Sequence, residues 1–146
     1  RGEFAEVFHV TIDYAITLAD MINAGKYDWV NSDITADRFP IVGKATVELQ
    51  LELIHFGKSM STDNVLKELD RRGHRPATLP ELLAFGAKFP EKQREFPVVA
   101  LGSVWAHLYD RRYVPYLDGD ASERYLDLHW CESDWRVSCR FLVSRK

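Results

Sequence analysis

Residues 44–56 contain the clearest alternation of apolar and polar side chains in the chain. Every second residue from 47 to 53 is valine or leucine, and the residues between them are glutamate or glutamine. Because successive side chains of a β-strand point to opposite faces of its sheet, this pattern predicts a strand with one buried and one wet face. The fold must therefore contain a sheet that is open to water along part of one face.

Two shorter segments predict further strands. Residues 7–13 alternate sufficiently to form a strand. Residues 97–101 are a continuous apolar run, which is consistent with a short strand covered on both faces. Residues 27–41 show no sustained period and are predicted to be a long connection.

Three segments carry helix signals. Residues 17–24 repeat apolar side chains at helical spacing, and Gly25 is placed to end that helix. Ser61 or Thr62 can cap a second helix that ends before Gly73. Residues 78–81 form a capping box at the start of a third helix, which Pro90 is expected to end.

The order of these elements defines the expected fold class. A strand, a helix, a strand and a pair of helices precede a run of short strands after residue 101. This order predicts an α+β fold with two helices packed on a mainly antiparallel sheet. A length of 146 residues suits a single domain, which we place at residues 1–146.

Composition excludes several classes of partner. A net charge of -3 with no basic stripe argues against nucleic acid. No apolar run approaches the roughly 20 residues of a membrane span and no signal segment opens the chain, so we expect no membrane insertion. Virion association and a cytoplasmic location both stay open.

The two cysteines, eight positions apart, are expected to be unpaired thiols.

Residues 103–146 combine two interleaved sets of side chains. The first is a sparse apolar frame, made of Val104, Trp105, Val114, Pro115, Leu117, Leu126, Leu128, Trp130, Trp135, Cys139, Phe141 and Val143. The second set fills the gaps and shares no chemical theme of the kind that catalysis imposes. A rigid frame that displays an arbitrary surface indicates a protein that binds a ligand and does not transform it.

Two motifs resemble a known fold family. The stretch GHRPATLPELL at residues 73–83 resembles the start of a helix in C-type-lectin-like domains, and CRFLVSR at residues 139–145 resembles their closing strand. Within that fold, residues 101–146 resemble the variable region of proteins served by diversity-generating retroelements. Those elements copy a template through a reverse transcriptase that misreads adenine. The resemblance covers residues 44–146 and is poor in the amino-terminal third.

The resemblance implies a C-type-lectin-like fold, with an invariant scaffold at residues 5–102 and a variable ligand-binding region at residues 103–146. The ligand is expected to be a protein or another surface, held without a cofactor or a metal. The ligand-binding residues implied are Ala106, His107, Tyr109, Asp110, Arg111, Tyr113, Tyr116, Asp118, Asp120, Tyr125, Asp127, His129, Cys131, Asp134, Arg136, Val137 and Ser138.

The residue types at the gap positions are compatible with this origin. Adenine substitution in AAC or AAT codons cannot yield Lys, Gln, Glu, Met or Trp, and the gap positions carry residues that it can yield. Glu123 and Glu132 depart from this pattern. Trp105, Trp130 and Trp135 fall at frame positions, where we expect core packing. Cys139 is expected to be buried and Cys131 to be an exposed gap residue.

Three alternatives remain. Asp118, Asp120 and Asp127 could hold calcium in a sugar-binding lectin, although the usual lectin motifs are missing. A structural module of a phage or cell surface would instead expose an apolar patch. Catalysis is not expected: the chain has no HExxH, GxSxG or P-loop motif and no match to the formylglycine-generating enzymes that share the lectin-like fold.

Overall fold

The computed structural model describes residues 6–146, apart from the side chain of Asp110. The strands are β1 (Val7–Asp13), β2 (Trp29–Val30), β3 (Thr46–Ile54), β4 (His74–Pro76), β5 (Val98–Val99), β6 (Trp105–Ala106), β7 (Arg112–Gly119), β8 (Arg124–Trp130) and β9 (Arg140–Arg145). The helices are α1 (Leu18–Ala24), α2 (Thr62–Arg71), α3 (Leu79–Lys88) and α4 (Lys92–Glu95), with a 3₁₀ turn at Leu108–Asp110.

All nine strands belong to one mixed sheet. Its order is β1-β3-β9-β5-β7-β8-β2, with β4 paired to β9 and β6 paired to β7. The pairs β2–β8 and β5–β9 are parallel. Because β5 lies between β7 and β9, strands from residues 5–102 and from residues 103–146 intermix in the sheet.

The strand predicted from the 44–56 alternation is confirmed as β3. It pairs with β1 in a register that sets Phe8 opposite Leu51 and Val10 opposite Leu49. These side chains share one face and join the core, where the Phe8 ring packs edge-on to Phe85 of α3 at 5.1 Å.

The predicted helix starts are confirmed. Thr17 caps α1 by accepting from the Asp20 N–H at 3.1 Å, and Ser61 caps α2 by accepting from the Asn64 N–H at 3.2 Å. At α3, Glu81 Oε1 accepts from the Thr78 N–H at 2.9 Å, which is one half of the predicted capping box.

The sheet is covered by a separate core cluster on each face. Val98 packs in a cluster with Leu79 and Phe85 of α3, whereas the next residue, Val99, packs in a cluster with Val65 of α2. Since neighbouring residues of a strand point to opposite faces, α3 and α2 lie on opposite sides of the sheet.

The predicted C-type-lectin-like fold, with two helices packed on a mainly antiparallel sheet, is therefore wrong. Residues 6–146 form a mixed nine-stranded sheet with four short helices. Two of its pairings are parallel, and apolar stripes on both sheet faces draw helices to both sides.

Two strands were not expected. β2 forms inside the predicted connection 27–41, and β4 forms between α2 and α3.

Among the helices of residues 6–146, none is long and apolar enough to span a bilayer.

Candidate functional site

Over residues 116–118 and 125–127, the β7–β8 hairpin separates polar from apolar side chains. Its register pairs Tyr116 with Asp127 and Asp118 with Tyr125, while Leu117 pairs with Leu126 between them. Paired residues point to the same face, and the leucine pair is buried in the core with α3. The tyrosine and aspartate side chains therefore share the opposite face of the sheet.

Strand β2 extends this face by one strand. Trp29 pairs with Tyr125 and Val30 pairs with Leu126. Val30 packs against the core below, so Trp29 points to the polar side, where 49% of it is exposed. We call this surface the hairpin face; its residues are Trp29, Asn31, Tyr116, Asp118, Tyr125, Asp127 and His129.

A side-chain hydrogen bond crosses the hairpin face. Asn31 Nδ2 donates to Asp127 Oδ1 at 2.9 Å, and the Asn31 N–H donates to the Leu126 carbonyl at 2.9 Å. The same Asp127 oxygen accepts from the Leu128 N–H at 2.7 Å. These bonds hold the carboxylate in one position on the sheet.

Both tyrosines of the hairpin face stay neutral far above physiological pH. Burial, followed by the charges of Asp127 and Asp118, raises the pKa of Tyr116 to about 12, against the opposing charge of Arg136. The Tyr125 hydroxyl donates to Glu123 Oε1 at 2.6 Å, and this bond, with burial second, raises its pKa to about 12. The tyrosines therefore present hydroxyl groups and aromatic rings beside carboxylates.

Residues 131–139 form a loop that flanks the hairpin face. The ring of Trp135 stacks on His129 with centroids 4.3 Å apart. Trp135 is buried, and its Nε1 donates to Thr62 Oγ1 of α2 at 2.8 Å. The Thr62 hydroxyl in turn donates to the Cys131 carbonyl at 2.6 Å. This chain of bonds anchors the loop, from which Arg136 and Val137 are exposed.

Two buried polar side chains support the hairpin from the core side. Gln93 Nε2 donates to the carbonyls of Asp118 and Tyr125 at 2.8 and 3.0 Å. The Arg124 guanidinium donates to the carbonyls of Gly25 at 2.6 Å and Gly86 at 2.9 Å. The backbone beneath the hairpin face is thus fixed by groups that do not reach that face.

The structure places the implied ligand-binding residues in three classes. Those exposed are Ala106, His107, Tyr109, Arg111, Asp120, Asp134, Arg136, Val137 and Ser138. Those half-buried are Tyr113, Tyr116, Asp118, Tyr125, Asp127 and His129. Cys131 is buried, and the side chain of Asp110 lies outside the described part of the chain.

Several of these residues lie away from the hairpin face. Tyr113 pairs with Trp105 and Trp130 and so lies on the other face of the sheet, where its ring packs against Trp105 at 5.5 Å. His107 packs on the same indole at 4.7 Å. Asp120 Oδ1 accepts from two backbone N–H groups within the β7–β8 turn. The implied residues therefore occupy more than one surface.

The expectation that Cys131 is an exposed gap residue is wrong. Its N–H donates to the Arg112 carbonyl at 2.7 Å, and its side chain packs with Val65 and Trp135 in the α2-side core. Cys139 is buried as predicted, and both cysteines are free thiols. Burial raises the pKa of the Cys139 thiol.

The apolar frame is buried along most of its length but not at every position. Trp135 is buried as expected. Val104 and Trp130 were also assigned to the frame, yet they are 45% and 46% exposed. Trp130 is the last residue of β8, and it is exposed there.

The calcium alternative gains no geometric support from the aspartates. Asp118 and Asp127 lie on the hairpin face, whereas Asp120 is bonded within the turn beyond it. Within residues 6–146, no three His, Cys, Asp or Glu side chains gather in a group that could hold a metal ion.

Part of the site carries no signal in the sequence. Trp29 and Asn31 reach the hairpin face only because a two-residue strand pairs across roughly a hundred positions, and neither carries a local signal. Gln93 and Arg124 were not singled out either. A polar residue of a short helix such as α4, or a charged residue in a β-hairpin, looks solvated until the tertiary structure buries it.

No protein-family model matches the chain, and neither a curated protein nor a solved structure shows a significant match to it.

Proposed function

We propose that this chain is a non-enzymatic ligand-binding protein whose hairpin face and flanking loop display a surface that a retroelement diversifies. The ligand is a protein or another macromolecular surface. The resemblance of residues 101–146 to retroelement variable regions supports diversification, and a mixed sheet can display such a region without a lectin-like fold.

One observation carries the proposal. The side chains that could contact a ligand and the buried side chains that hold the strands lie on opposite sides of the β7–β8 hairpin. The polar residues Tyr116, Asp118, Tyr125 and Asp127 project from one face. Leu117, Leu126, Gln93 and Arg124 hold the same backbone from the other face. Asp118 and Tyr125 belong to neither core cluster, so their side chains can change without removing core packing.

The chemistry of the hairpin face suits polar recognition. Tyrosine and tryptophan give large contact areas at low side-chain entropy cost, and with arginine they dominate interface hot spots. Trp29, Tyr116 and Tyr125 supply such rings beside the carboxylates of Asp118 and Asp127 and near Arg136. This mixture favours a wet protein interface over a closed small-molecule site.

The flanking DNA tests the diversification directly. We expect a near-copy of the segment that encodes residues 103–146, with adenines in the codons for Tyr116, Tyr125 and Asp127, beside a reverse-transcriptase gene. Codons for Leu117 and Leu126 serve as the matched control and should be the same in both copies. Sequenced flanks without such a copy would rule out retroelement diversification.

A second function is favoured by a different surface. Leu108 and Tyr109 form the tip of the β6–β7 turn and are 66% and 90% exposed, and Trp130 is also exposed. Exposed large apolar side chains of this kind are what a structural or assembly module would use. Sedimentation of the wild type beside Leu108→Ser/Tyr109→Ser distinguishes the two functions, because only an assembly module loses its self-association with the tip.

A further inference from the structure

A cleft of about 390 Å³ lies between β1, α1 and α3, on the side of the sheet opposite the hairpin face. Small side chains leave this space unfilled, because Ala24 of α1 and Ala84 and Ala87 of α3 line it. Binding sites for small molecules are usually concave spaces of about 300–1,000 Å³. The cleft is therefore large enough for a compact ligand.

The walls of the cleft are apolar. Ile12, Met21 and Leu83 line it and are buried in the core, which makes them its floor. Ile16 also lines it and is 38% exposed, so it lies at the mouth. A molecule seated here would remove the Ile16 side chain and two exposed alanines from water, which favours binding in proportion to the apolar area covered.

The charged groups of the cleft are already bonded and opposite in sign. Lys88 Nζ donates to the His9 carbonyl at 2.6 Å. Asp13 Oδ1 accepts from the Ala15 N–H at 2.9 Å. One ammonium and one carboxylate, each held by a backbone group, offer no net charge to attract an ionic ligand.

We propose that this cleft binds a small, uncharged, mainly apolar molecule. The site is independent of the hairpin face, because none of its lining residues belongs to that surface. It gives the chain a second binding activity at the opposite side of the sheet.

Titration with Nile red, an uncharged apolar dye, tests the proposal on the intact chain. We expect saturable binding of one dye per chain with a blue-shifted emission. Ala87→Trp fills the cleft from an exposed helical position and should weaken binding by about tenfold or more. Ala19→Trp is the matched control: Ala19 is an exposed alanine of α1 that does not line the cleft, and its variant should bind like the wild type.

A second variant and a charged dye complete the test. Ile16→Ser removes the apolar mouth and should also weaken Nile red binding, with the fold of each variant checked by circular dichroism. The anionic dye anilinonaphthalene sulfonate should bind more weakly than Nile red. Absence of saturable Nile red binding, equal binding by the two tryptophan variants, or tighter binding of the anionic dye would overturn the proposal.

Discussion

Arg124 donates from Nη2 to Gln93 Oε1 at 2.8 Å, and both side chains are buried beneath the β7–β8 hairpin. Among the described residues, every acceptor of the Arg124 guanidinium is a carbonyl oxygen, the others being those of Gly25, Lys26, Gly86 and Pro90. A buried charge is tolerated only when such bonds replace its water. The pair therefore links the hairpin to α3, α4 and the segment after α1.

Replacing this arginine should destabilise the whole protein. Arg124→Met leaves several buried carbonyls without donors, and each such group costs about 1–3 kcal/mol. We expect a loss of about 3 kcal/mol or more in the free energy of unfolding, measured by urea denaturation. The control is Arg112→Met in the same hairpin, which removes only an exposed ion pair with Glu132 and should cost far less. Equal losses in the two variants would show that Arg124 is not a support.

The Thr62 hydroxyl should be needed to hold the loop of residues 131–139. Thr62→Val leaves the Trp135 N–H and the Cys131 carbonyl without their partner, so we expect a loss of about 2–4 kcal/mol. Thr62→Ser keeps the hydroxyl and should recover most of that stability. If valine and serine behave alike in thermal unfolding, the hydrogen bonds do not anchor the loop.

The tyrosines of the hairpin face predict a stability change at alkaline pH. Folding raises the pKa of Tyr116 and Tyr125 from 10.0 to about 12, which favours their neutral forms in the folded state. Their contribution to stability is therefore complete below pH 10 and is lost as the pH rises towards 12. Phenolate absorbance should show these groups ionising late.

Two variants assign that late transition. Tyr116→Phe should remove one tyrosine from it. Glu123→Gln should lower the pKa of Tyr125, because it removes the negative charge of the carboxylate that accepts a hydrogen bond from the Tyr125 hydroxyl. A late transition that neither variant changes would place the shifted groups elsewhere.

The two tryptophans near the end of β8 should differ in their contribution to stability. Trp135→Ala opens a cavity in the α2-side core, and we expect a cost of about 3–5 kcal/mol. Trp130 is 46% exposed, so Trp130→Ala should cost about 1 kcal/mol. Chemical denaturation of the two variants measures both values, and equal costs would restore Trp130 to the buried frame.

This contrast shows how far the sequence predicts the site. Alternation predicts the faces of β3, because a period of two is fixed by strand geometry. The division of residues 103–146 into frame and gap positions does not follow the two faces of the sheet, since the frame residues Val114 and Leu117 pack in clusters on opposite faces. Alternation fails at Trp130 and Cys131, where β8 ends and the chain turns, so that the period no longer applies. Burial there depends on α2, which lies roughly sixty residues away.

The overall topology was not predictable in the same way. The two-residue strands β2 and β5 are too short to carry a period, yet they form the parallel pairings that make the sheet mixed. Pairing over such distances is decided by the packing of both sheet faces, which a local pattern does not report. The motif at residues 73–83 correctly marked the start of α3, but a helix start is compatible with many folds.

The most direct test is whether a library randomised on the hairpin face still folds. It asks whether the side chains of that face can vary while the strands beneath them stay in place. One library varies the display positions Tyr116, Asp118, Tyr125, Asp127, His129 and Arg136. A matched library varies six buried frame positions, namely Val114, Leu117, Leu126, Trp135, Phe141 and Val143. Protease resistance is measured for each member. We predict that many more members of the first library than of the second stay folded, because the display positions are half-buried or exposed, whereas the frame positions are buried. Loss of folding to the same extent in both libraries would contradict a display surface on the hairpin face.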